Sequence, residues 1–372
     1  MKRAFVGTLF QRVTDFPQYI QVVLGPRQVG KTTGVLQLEN DWEGTFIYEN
    51  ADSVFSSKTD WLKEKWLSAR IHKKKGEKVI LVIDEVQGIP DWSSIIKGLW
   101  DEDKKNKNLF HVVLLGSSSL ELHHGLSESL AGRFEQIYVP HWNYQESKQL
   151  CENLSLDEYL EFGGYPAPLL LEDIERRKDY LRLSILEPVI TRDILQNATV
   201  KKPALFRQTF ELACLHAAEI FSLNKFLGQL QEGGNVDLVK HYLSLYQKAF
   251  LLFTLEKFST NKAQKKASSP KLLPAAPAFL NLFGESDRGR RFELIVGLHL
   301  IHKYKNVEYW REGDKEVDYV IRIGKKIIAI EVKSGKKKNG KGQIAFSQNF
   351  DCKTLIVTPE NFEKLDELLS VI

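Results

Sequence analysis

Short apolar segments alternate with amphipathic stretches through the first 145 residues of the chain. Strands that are apolar on both faces and separated by helices are typical of a parallel sheet covered on both sides. The pattern therefore predicts an α/β domain over residues 1–145. Five strands are expected, at residues 21–25, 45–50, 78–85, 110–118 and 135–140.

Apolar residues at helical spacing dominate residues 146–285, the predicted second domain. A short amphipathic helix is predicted to stop at Gly233-Gly234, and Asn235 is placed to cap a second helix through Leu245. An apolar β-like ribbon follows. This order is typical of a winged helix-turn-helix, which binds DNA in some proteins and only packs against its neighbours in others. The basic residues on the second helix and at its end are Lys240, His241 and Lys248.

The predicted third domain, residues 286–372, brings a helix, a β-hairpin and a further strand. Taking Gly324-Lys325 as a two-residue type II′ turn fixes the hairpin register. Asp318 then lies opposite Glu331, and strict alternation places Asp318, Glu331 and Lys333 on one face. The other face is expected to be the core, with Val317, Tyr319, Ile321, Ile328, Ile330 and Val332.

Composition and charge place few limits on function. The chain of 372 residues is 43% hydrophobic and 27% charged, and its formal net charge of +4 is too small to imply nucleic-acid binding by the whole chain. Basic residues do cluster in four runs that we interpret as loops, and such runs either are solvated surface or contact phosphate. The runs lie at residues 72–78, 104–107, 261–266 and 335–342.

Cysteine usage and the apolar runs bear on location. The three cysteines lie far apart, without disulfide density or metal-ligand spacing, which favours a reducing cytoplasm. The N-terminal residues show no signal-peptide pattern, and the longest apolar runs are too short to span a bilayer. We expect a cytoplasmic protein with no membrane partner.

Residues 25–32, GPRQVGKT, match the pattern G-x-x-x-x-G-K-[ST] after an apolar strand and before a predicted helix. In this motif, glycines let backbone N–H groups wrap phosphates, Lys31 reaches the β- and γ-phosphates, and the Thr32 hydroxyl ligates Mg²⁺. ATP and Mg²⁺ are thus the expected cofactors. The predicted nucleotide-binding residues are Gly25, Arg27, Gln28, Val29, Gly30, Lys31, Thr32 and Thr33.

A pair of acids ends the third predicted strand. Asp84 is placed to hold Mg²⁺ together with Thr32, and Glu85 is placed to polarise the attacking water. Two adjacent carboxylates at the end of a buried strand are costly unless the protein uses them. The next strand ends in serines, where Ser117, or Ser118 beside it, can contact the γ-phosphate or the water. Helix capping is the alternative role for these hydroxyls.

The stretches VLGPRQVGKTT, VILVIDEVQ, LLGSSSLEL and SESLAGR resemble the AAA-type (AAA+) ATPase domain of a large prokaryotic family. In that family a helical region and a C-terminal domain of unknown function follow, and GGYP at 163–166, TRDI at 191–194 and the hairpin also match. The resemblance implies a P-loop NTPase sheet and a homo-oligomer in which Arg133 is inserted at a neighbour's γ-phosphate. A surface salt bridge is the plain alternative for Arg133.

The hairpin resembles the PD-(D/E)xK nuclease fold, whose motif is an Asp followed by Glu-x-Lys on the adjacent strand. Directly opposed carboxylates repel, and a divalent ion between Asp318 and Glu331 would turn that repulsion into attraction. Glu293 on the preceding helix is expected to add a ligand, and Lys333 to steady the developing charge in phosphodiester cleavage. The alternatives are a fold that has lost catalysis and a simple cross-strand pair between Glu316 and Lys333.

Three functions fit the sequence, and the weakest of them is a pure nuclease gated by ATP. The first is an ATP-driven motor or switch acting on DNA, with branched and single-stranded DNA as candidate substrates. Its restriction-nuclease-like C-terminal domain would hold or cut nucleic acid. The second is a signalling ATPase of the NTP-switch type that acts through protein partners and never contacts DNA. Stimulation of hydrolysis by DNA, and its dependence on salt, would separate them.

Overall fold

The computed structural model of the protein describes residues 1–54, 57–116, 129–230, 234–259, 268–284, 286–335 and 340–372. The chain divides into two compact units, of which the first contains residues 1–141 and 189–198 and the second contains residues 142–188 and 199–372. The predicted second and third domains therefore belong largely to one compact unit. A short segment of the predicted second domain belongs to the first unit instead.

A parallel sheet forms the centre of the first unit. Its strands are β1 (Ile20–Leu24), β2 (Thr45–Asn50), β3 (Val79–Asp84), β4 (His111–Gly116) and β5 (Phe134–Tyr138). The strand order is β2-β3-β4-β1-β5, and all neighbours are parallel, so the five predicted strands and their arrangement are confirmed. The helices are α1 (Ala4–Thr14), α2 (Lys31–Leu36), α3 (Lys58–Lys74) and α4 (Trp92–Lys105), with 3₁₀ turns at Glu39–Asp41, Ala51–Ser53 and Val86–Gly88.

The inner strands of this sheet are buried on both faces, as their uniformly apolar sequences predict. Every residue of β1 and β3 is buried, whereas β2 at one edge is half-buried along its length. β4 lies between β1 and β3, so the carboxyl ends of β1 and β3 lie at the same edge of the sheet with one strand between them. The P-loop, residues 25–30, follows β1 at this edge.

Two of the basic runs begin in the last turn of a helix and continue into the following loop, so the expectation that they lie in loops was wrong for their first residues only. Cations in the last turn of a helix are stabilised by its free carbonyl groups, which explains their position. These last turns of α3 and α4 carry His72, Lys73 and Lys74, and Lys104 and Lys105. The run at 261–266, and residues 336–339 of the last run, lie outside the described residues.

The second unit begins with short helices, and a three-helix element follows. The short helices are α5 (Tyr144–Leu150), α6 (Leu156–Phe162), α7 (Pro166–Leu169) and α8 (Ile174–Asp179), and π-helical turns follow at Tyr180–Leu186 and Val189–Leu195. The second of these π-helical turns belongs to the first unit. The three-helix element consists of α9 (Pro203–Leu215), α10 (Leu223–Gln229) and α11 (Val236–Lys248).

These three helices and two following strands have the order predicted for a winged helix-turn-helix. Asn235 caps α11, because its side chain accepts a hydrogen bond of 2.8 Å from the Leu238 N–H. The strands are β6 (Leu252–Lys257) and β7 (Lys271–Pro274), which pair antiparallel. An isolated bridge joins Ile220 to Lys271. The exposed basic residues of α11 are Lys240, His241 and Lys248.

A six-stranded mixed sheet joins that element to the C-terminal hairpin. Its other strands are β8 (Val307–Glu312), β9 (Lys315–Ile323), β10 (Lys326–Val332) and β11 (Lys353–Val357), in the order β11-β10-β9-β8-β6-β7. The unit also contains α12 (Arg288–Lys303), α13 (Lys341–Asn349) and α14 (Leu365–Val371), with 3₁₀ turns at Pro277–Leu282 and Phe362–Lys364. The predicted domain boundary near residue 285 therefore separates strands of a single sheet.

The hairpin of β9 and β10 has the predicted register from its turn as far as Ile330, which lies opposite Tyr319. Gly324 has a φ of +60°, as the first central residue of a type II′ turn requires. Both faces of the hairpin are buried, since Tyr319 on one face and Val320 on the other are fully inaccessible.

Strict alternation was wrong at Asp318, because β9 contains a bulge there. Between the pairs Glu308–Val320 and Trp310–Val317, β8 has one residue while β9 has two, Asp318 and Tyr319. The extra residue turns Val317 toward the face of Val320, where it joins a cluster with Ala329 and Phe346.

None of the described helices is long and apolar enough to cross a membrane.

Candidate functional site

The P-loop has an unusual backbone. Gln28 and Gly30 adopt left-handed φ values of +58° and +87°. Gly25 packs so closely against the chain after β5 that a Cβ there would lie 2.2 Å from the Val139 carbonyl oxygen. Left-handed residues within such a turn create the concave backbone that binds anions. Gly25 is thus required by close packing, and Gly30 by its conformation.

Lys31 lies inside this loop and is 7% exposed. Its Nζ donates hydrogen bonds to the carbonyl oxygens of Gly25, at 3.0 Å, and Pro26, at 2.6 Å. Burial lowers the pKa of Lys31 to about 8, although Glu85 and Asp84 oppose this shift. Within the described part of the chain, no carboxylate forms an ion pair with this buried ammonium group, and a phosphate group would supply a counter-ion.

Asp84 ends β3 and is 3% exposed. Its Oδ2 accepts hydrogen bonds from the Thr32 hydroxyl at 2.7 Å and from the Tyr48 hydroxyl at 2.9 Å. Its Oδ1 accepts one of 2.9 Å from the Glu85 N–H. The two predicted Mg²⁺ ligands, Thr32 and Asp84, are therefore in direct contact, and their oxygen atoms fit a single small, hard cation.

Glu85 follows Asp84 with a left-handed φ of +52°. Non-glycine residues in this conformation are strained, and such strain persists where the surrounding structure enforces it, often at functional sites. The half-buried Glu85 carboxylate accepts a hydrogen bond from the Gln87 amide. The structure thus places Glu85 directly beside Asp84, where the sequence predicts the residue that polarises water.

Two arginines brace the P-loop. Arg3 is 6% exposed, and its Nη1 donates to the Val29 carbonyl oxygen at 2.8 Å. Arg27 donates from Nε and Nη2 to the two carboxylate oxygens of Asp193, at 2.7 and 2.6 Å. Asp193 lies in the π-helical turn Val189–Leu195, so a segment distant in sequence contacts the loop itself.

For the other residues predicted at this site, the structure shows no side-chain hydrogen bond to Lys31, Thr32 or Asp84 among the described residues. Thr33 is exposed on α2. Ser117 and Ser118 lie outside the described residues. Arg133 forms a bidentate pair with Asp101, from Nε to Oδ1 at 2.7 Å and from Nη2 to Oδ2 at 2.8 Å. This pair is the surface salt bridge of the plain alternative, and insertion of Arg133 into a neighbouring site stays a prediction.

Comparison with known proteins identifies three regions. Residues 17–148 match the family model of an AAA domain. Residues 17–148 are an AAA-type ATPase domain. Residues 153–285 and 288–371 match two domains of unknown function, DUF8612 and DUF4143. The AAA domain contains the P-loop, Asp84 and Glu85, so the match over residues 17–148 and the geometry of this site both identify the protein as an ATPase.

Two relatives of similar sequence are uncharacterized proteins. An uncharacterized protein of Methanocaldococcus jannaschii is 24% identical over 330 residues, which cover 82% of this chain and 72% of the relative. An uncharacterized protein of Haemophilus influenzae is 22% identical over 344 residues, covering 86% and 82%. The Thermotoga maritima RuvB Holliday junction branch migration motor matches with a TM-score of 0.34 and 15% identity, over 70% of this chain and 93% of that one. A TM-score this low contributes nothing to the assignment.

A second group of charged residues lies in the second unit, around Lys271 of β7. Lys271 is fully buried, and its Nζ lies 2.5 Å from Glu293 Oε1, 3.4 Å from Glu316 Oε1 and 3.9 Å from Asp318 Oδ1. The predicted pair of Glu316 with Lys333 is absent, since Lys333 instead pairs with Glu331 at 2.6 Å. A lysine ammonium group therefore lies beside two of the carboxylates predicted to hold a metal ion, Glu293 and Asp318.

The residues predicted to hold a second metal ion do not fit one. Asp318 Oδ2 accepts a hydrogen bond of 2.7 Å from the Val332 N–H, and its Oδ1 faces Lys271. Glu331 Oε1 accepts a hydrogen bond from Lys333, and Glu331 Oε2 is buried without a hydrogen-bond partner among the described residues. Among the residues that the structure describes, no group of three His, Cys, Asp or Glu side chains is arranged to hold a metal ion.

Sequence reasoning missed Tyr48, Arg3, Asp193 and Lys271. Asp193 and Lys271 did leave a signal, because each is a charged residue in an otherwise apolar stretch, VITRDIL and PKLLP. A charge in such a position is buried only with a partner. Tyr48 could also have been found from the sequence, because its hydroxyl lies near the carboxyl end of β2, the strand that pairs with the Asp84 strand β3. Nothing in the local sequence around Arg3 indicates its contact with the P-loop.

Proposed function

We propose that the protein is a Mg²⁺-dependent ATPase, active as a homo-oligomer, that acts on nucleic acid, with DNA as the partner. The AAA domain and the contact between Thr32 and Asp84 support hydrolysis. The contact with nucleic acid rests on one observation, the row of exposed basic side chains on α11. A second helix of this kind enters the DNA major groove in helix-turn-helix proteins.

The residues of the P-loop site divide the work of hydrolysis. Lys31 leaves the carbonyl oxygens of Gly25 and Pro26 and neutralises phosphate charge. Thr32 and Asp84 would hold Mg²⁺, which would supply further charge neutralisation on the phosphate oxygens. Glu85 orients and polarises the attacking water, so that most of the catalysis is positioning and electrostatic stabilisation.

The C-terminal hairpin, in this proposal, holds nucleic acid without cutting it. Phosphodiester cleavage by this kind of fold needs a divalent ion on free carboxylate oxygens. The ion pairs of Lys271 with Glu293, Glu316 and Asp318 support a structural role for these carboxylates.

The deciding experiment measures ATP turnover with duplex, branched and single-stranded DNA and with RNA, at low and high salt, beside a cleavage gel in Mg²⁺ and Mn²⁺. We expect one DNA structure to stimulate turnover, the stimulation to weaken as salt rises, and no cleavage to occur. The double variant Lys240→Ala, His241→Ala should lose the stimulation and keep basal turnover. Lys305→Ala, at an exposed position outside this element, is the matched control. If no nucleic acid changes turnover, the DNA role fails and the ATPase assignment stands.

A signalling ATPase that acts through protein partners is the second candidate. Leu67 and Ile71 are 55% and 49% exposed, and residues four apart lie on one face of α3. Exposed neighbouring apolar side chains suit a protein interface better than a nucleic-acid surface. Changing both residues to serine should leave DNA-stimulated turnover intact if the first proposal is right. Loss of a protein complex without any DNA effect would favour the second.

A further inference from the structure

Arg27 of the P-loop forms a two-point ion pair with Asp193. Both carboxylate oxygens accept a hydrogen bond from the same guanidinium group, at 2.7 and 2.6 Å. Asp193 is 4% exposed, so little water competes for it. Bidentate, charge-assisted pairs of this kind fix both the distance and the orientation of their partners.

The pair lies directly beside the part of the loop that must change when phosphate enters. Lys31 Nζ is bound to the carbonyl oxygens of Gly25 and Pro26, the two residues that precede Arg27. To reach a phosphate group, Lys31 has to leave both oxygens, which then need other partners. Any adjustment of the backbone at residues 25–27 acts on the guanidinium group and, through it, on Asp193.

The segment that carries Asp193 has two unusual features. It is π-helical from Val189 to Leu195, a rare geometry that occurs mostly at functional positions. It also belongs to the first compact unit, while the chain on both sides of it, residues 142–188 and 199–372, belongs to the second. A change at Asp193 is therefore passed by covalent continuity into the second unit in both directions along the chain.

We propose that Asp193 is a positioning residue of the ATP site, which anchors P-loop Arg27 so that the loop and residues 189–198 move together when a nucleotide binds. The anchor preorganises the loop for phosphate and lets the second unit sense nucleotide occupancy. This inference rests on nucleotide binding at the P-loop and does not depend on the identity of the partner, whether DNA or protein.

The test compares the unchanged protein with Asp193→Asn, which keeps the side-chain size and removes the charge. Arg192→Ala is the matched control, because Arg192 is the exposed neighbour on the same segment. For Asp193→Asn we expect the KM for ATP to rise about tenfold, the order expected for a lost hydrogen bond to a charged group, with a smaller change in kcat. Asp193→Glu, which keeps the charge, should recover part of the affinity, and Arg192→Ala should behave like the unchanged protein.

Hydrogen exchange supplies a measurement that a merely structural role would not change. In the unchanged protein and in Arg192→Ala, a non-hydrolysable ATP analogue should alter the exchange of residues 189–198. In Asp193→Asn that response should disappear while circular dichroism shows a folded protein. The double variant Arg27→Gln, Asp193→Asn should bind ATP no more weakly than Arg27→Gln alone, because both changes break one interaction.

The outcomes separate this inference from the ATPase assignment. If the unchanged protein binds the analogue and residues 189–198 do not respond, only the inference is overturned. It is also overturned if Asp193→Asn has the KM and the exchange response of the unchanged protein. If the unchanged protein binds no nucleotide at all, both the inference and the ATPase assignment fail.

Discussion

Each compact unit buries a lysine near carboxylates, and the two lysines are in opposite electrostatic states. Lys31 in the first unit donates to neutral carbonyl oxygens, and burial lowers its pKa to about 8. Lys271 in the second unit lies against Glu293 at 2.5 Å, with Glu316 and Asp318 nearby. Burial lowers the pKa of Lys271, but these three carboxylates outweigh it and raise the pKa above the ordinary value.

The difference shows how a ligand-binding lysine is distinguished from a structural one. A buried ammonium group without a paired carboxylate is unfavourable until an anion pairs with it, so phosphate binding stabilises the folded state. A buried ammonium group that is already paired has no such gain to offer, and it also neutralises the carboxylates that a metal ion would need. Lys31 is in the first state and Lys271 in the second.

The largest effect we predict is on Lys31. Lys31→Ala should lower ATP turnover by about 100- to 1000-fold, since it removes a preorganised charge from the phosphate site. The measurement is phosphate release at saturating Mg²⁺ and ATP. Lys74→Ala, which changes an exposed lysine of the same unit, is the control and should leave turnover unchanged. Turnover of Lys31→Ala near that of the control would show that Lys31 does not bind phosphate.

Lys271 should affect stability instead. Removing one partner of a buried ion pair costs roughly 3–5 kcal/mol, so Lys271→Met should lower the free energy of unfolding by about that amount. Denaturant unfolding measures it. Lys333→Met is the control, because the Lys333 side chain is 36% exposed and its loss should cost less. A variant as stable as the unchanged protein would mean that the carboxylates around Lys271 are not ionised.

Metal addition sharpens the same comparison. With Lys271 absent, Glu293, Glu316 and Asp318 repel one another, and Mn²⁺ should raise the unfolding temperature of Lys271→Met. The unchanged protein should show no such increase from this site, because its carboxylates already have a cation. An equal increase in both proteins would contradict the assignment of Lys271 as that cation and would restore the predicted second metal site.

The sequence predicted what local patterns determine. The P-loop, Asp84 and Glu85 follow from a short motif and the end of an apolar strand, and the hairpin register follows from the turn at Gly324. The pair of Arg27 with Asp193 joins residues 166 positions apart, so no local pattern contains it. The bulge at Asp318 depends on how β8 pairs with β9, which alternation along one strand does not reveal. Contacts set by tertiary packing were therefore the ones missed.

Acid should act on the two units with opposite signs. Burial, and secondarily Lys73, lowers the pKa of His111 in the first unit to about 4. The unfolded state then binds a proton first as pH falls below about 6.5, and stability is lost through pH 4. In the second unit, burial raises the pKa of Glu293 to about 7, although Lys271 opposes this shift. The contribution of Glu293 to the free energy of unfolding is therefore present at low pH and is lost as pH rises through 7.

The test of this contrast compares the pH dependence of unfolding in three proteins. On acidification from pH 7 to pH 5, the free energy of unfolding should fall by roughly 2 kcal/mol more in the unchanged protein than in His111→Asn. Glu293→Gln should lose more stability than the unchanged protein on acidification from pH 7 to pH 5, because it lacks the opposing contribution of Glu293. If His111→Asn loses as much stability on acidification as the unchanged protein, His111 is not the group responsible.

The smallest effect should come from Arg133, whose pair with Asp101 is exposed, unlike the buried pair of Lys271 with Glu293. The two side chains are 29% and 42% exposed, and a pair of this kind contributes less than about 1 kcal/mol. Arg133→Ala should therefore unfold almost like the unchanged protein, and its turnover as a separated monomer should be unaffected. Mixing it with the Lys31→Ala protein tests the remaining role, because an arginine inserted into a neighbour's site acts only between subunits. If turnover rises when the Lys31→Ala protein is added, Arg133 of a Lys31→Ala subunit must complete the P-loop site of a neighbouring Arg133→Ala subunit. No rise, together with full turnover by Arg133→Ala alone, leaves Arg133 as half of a surface salt bridge.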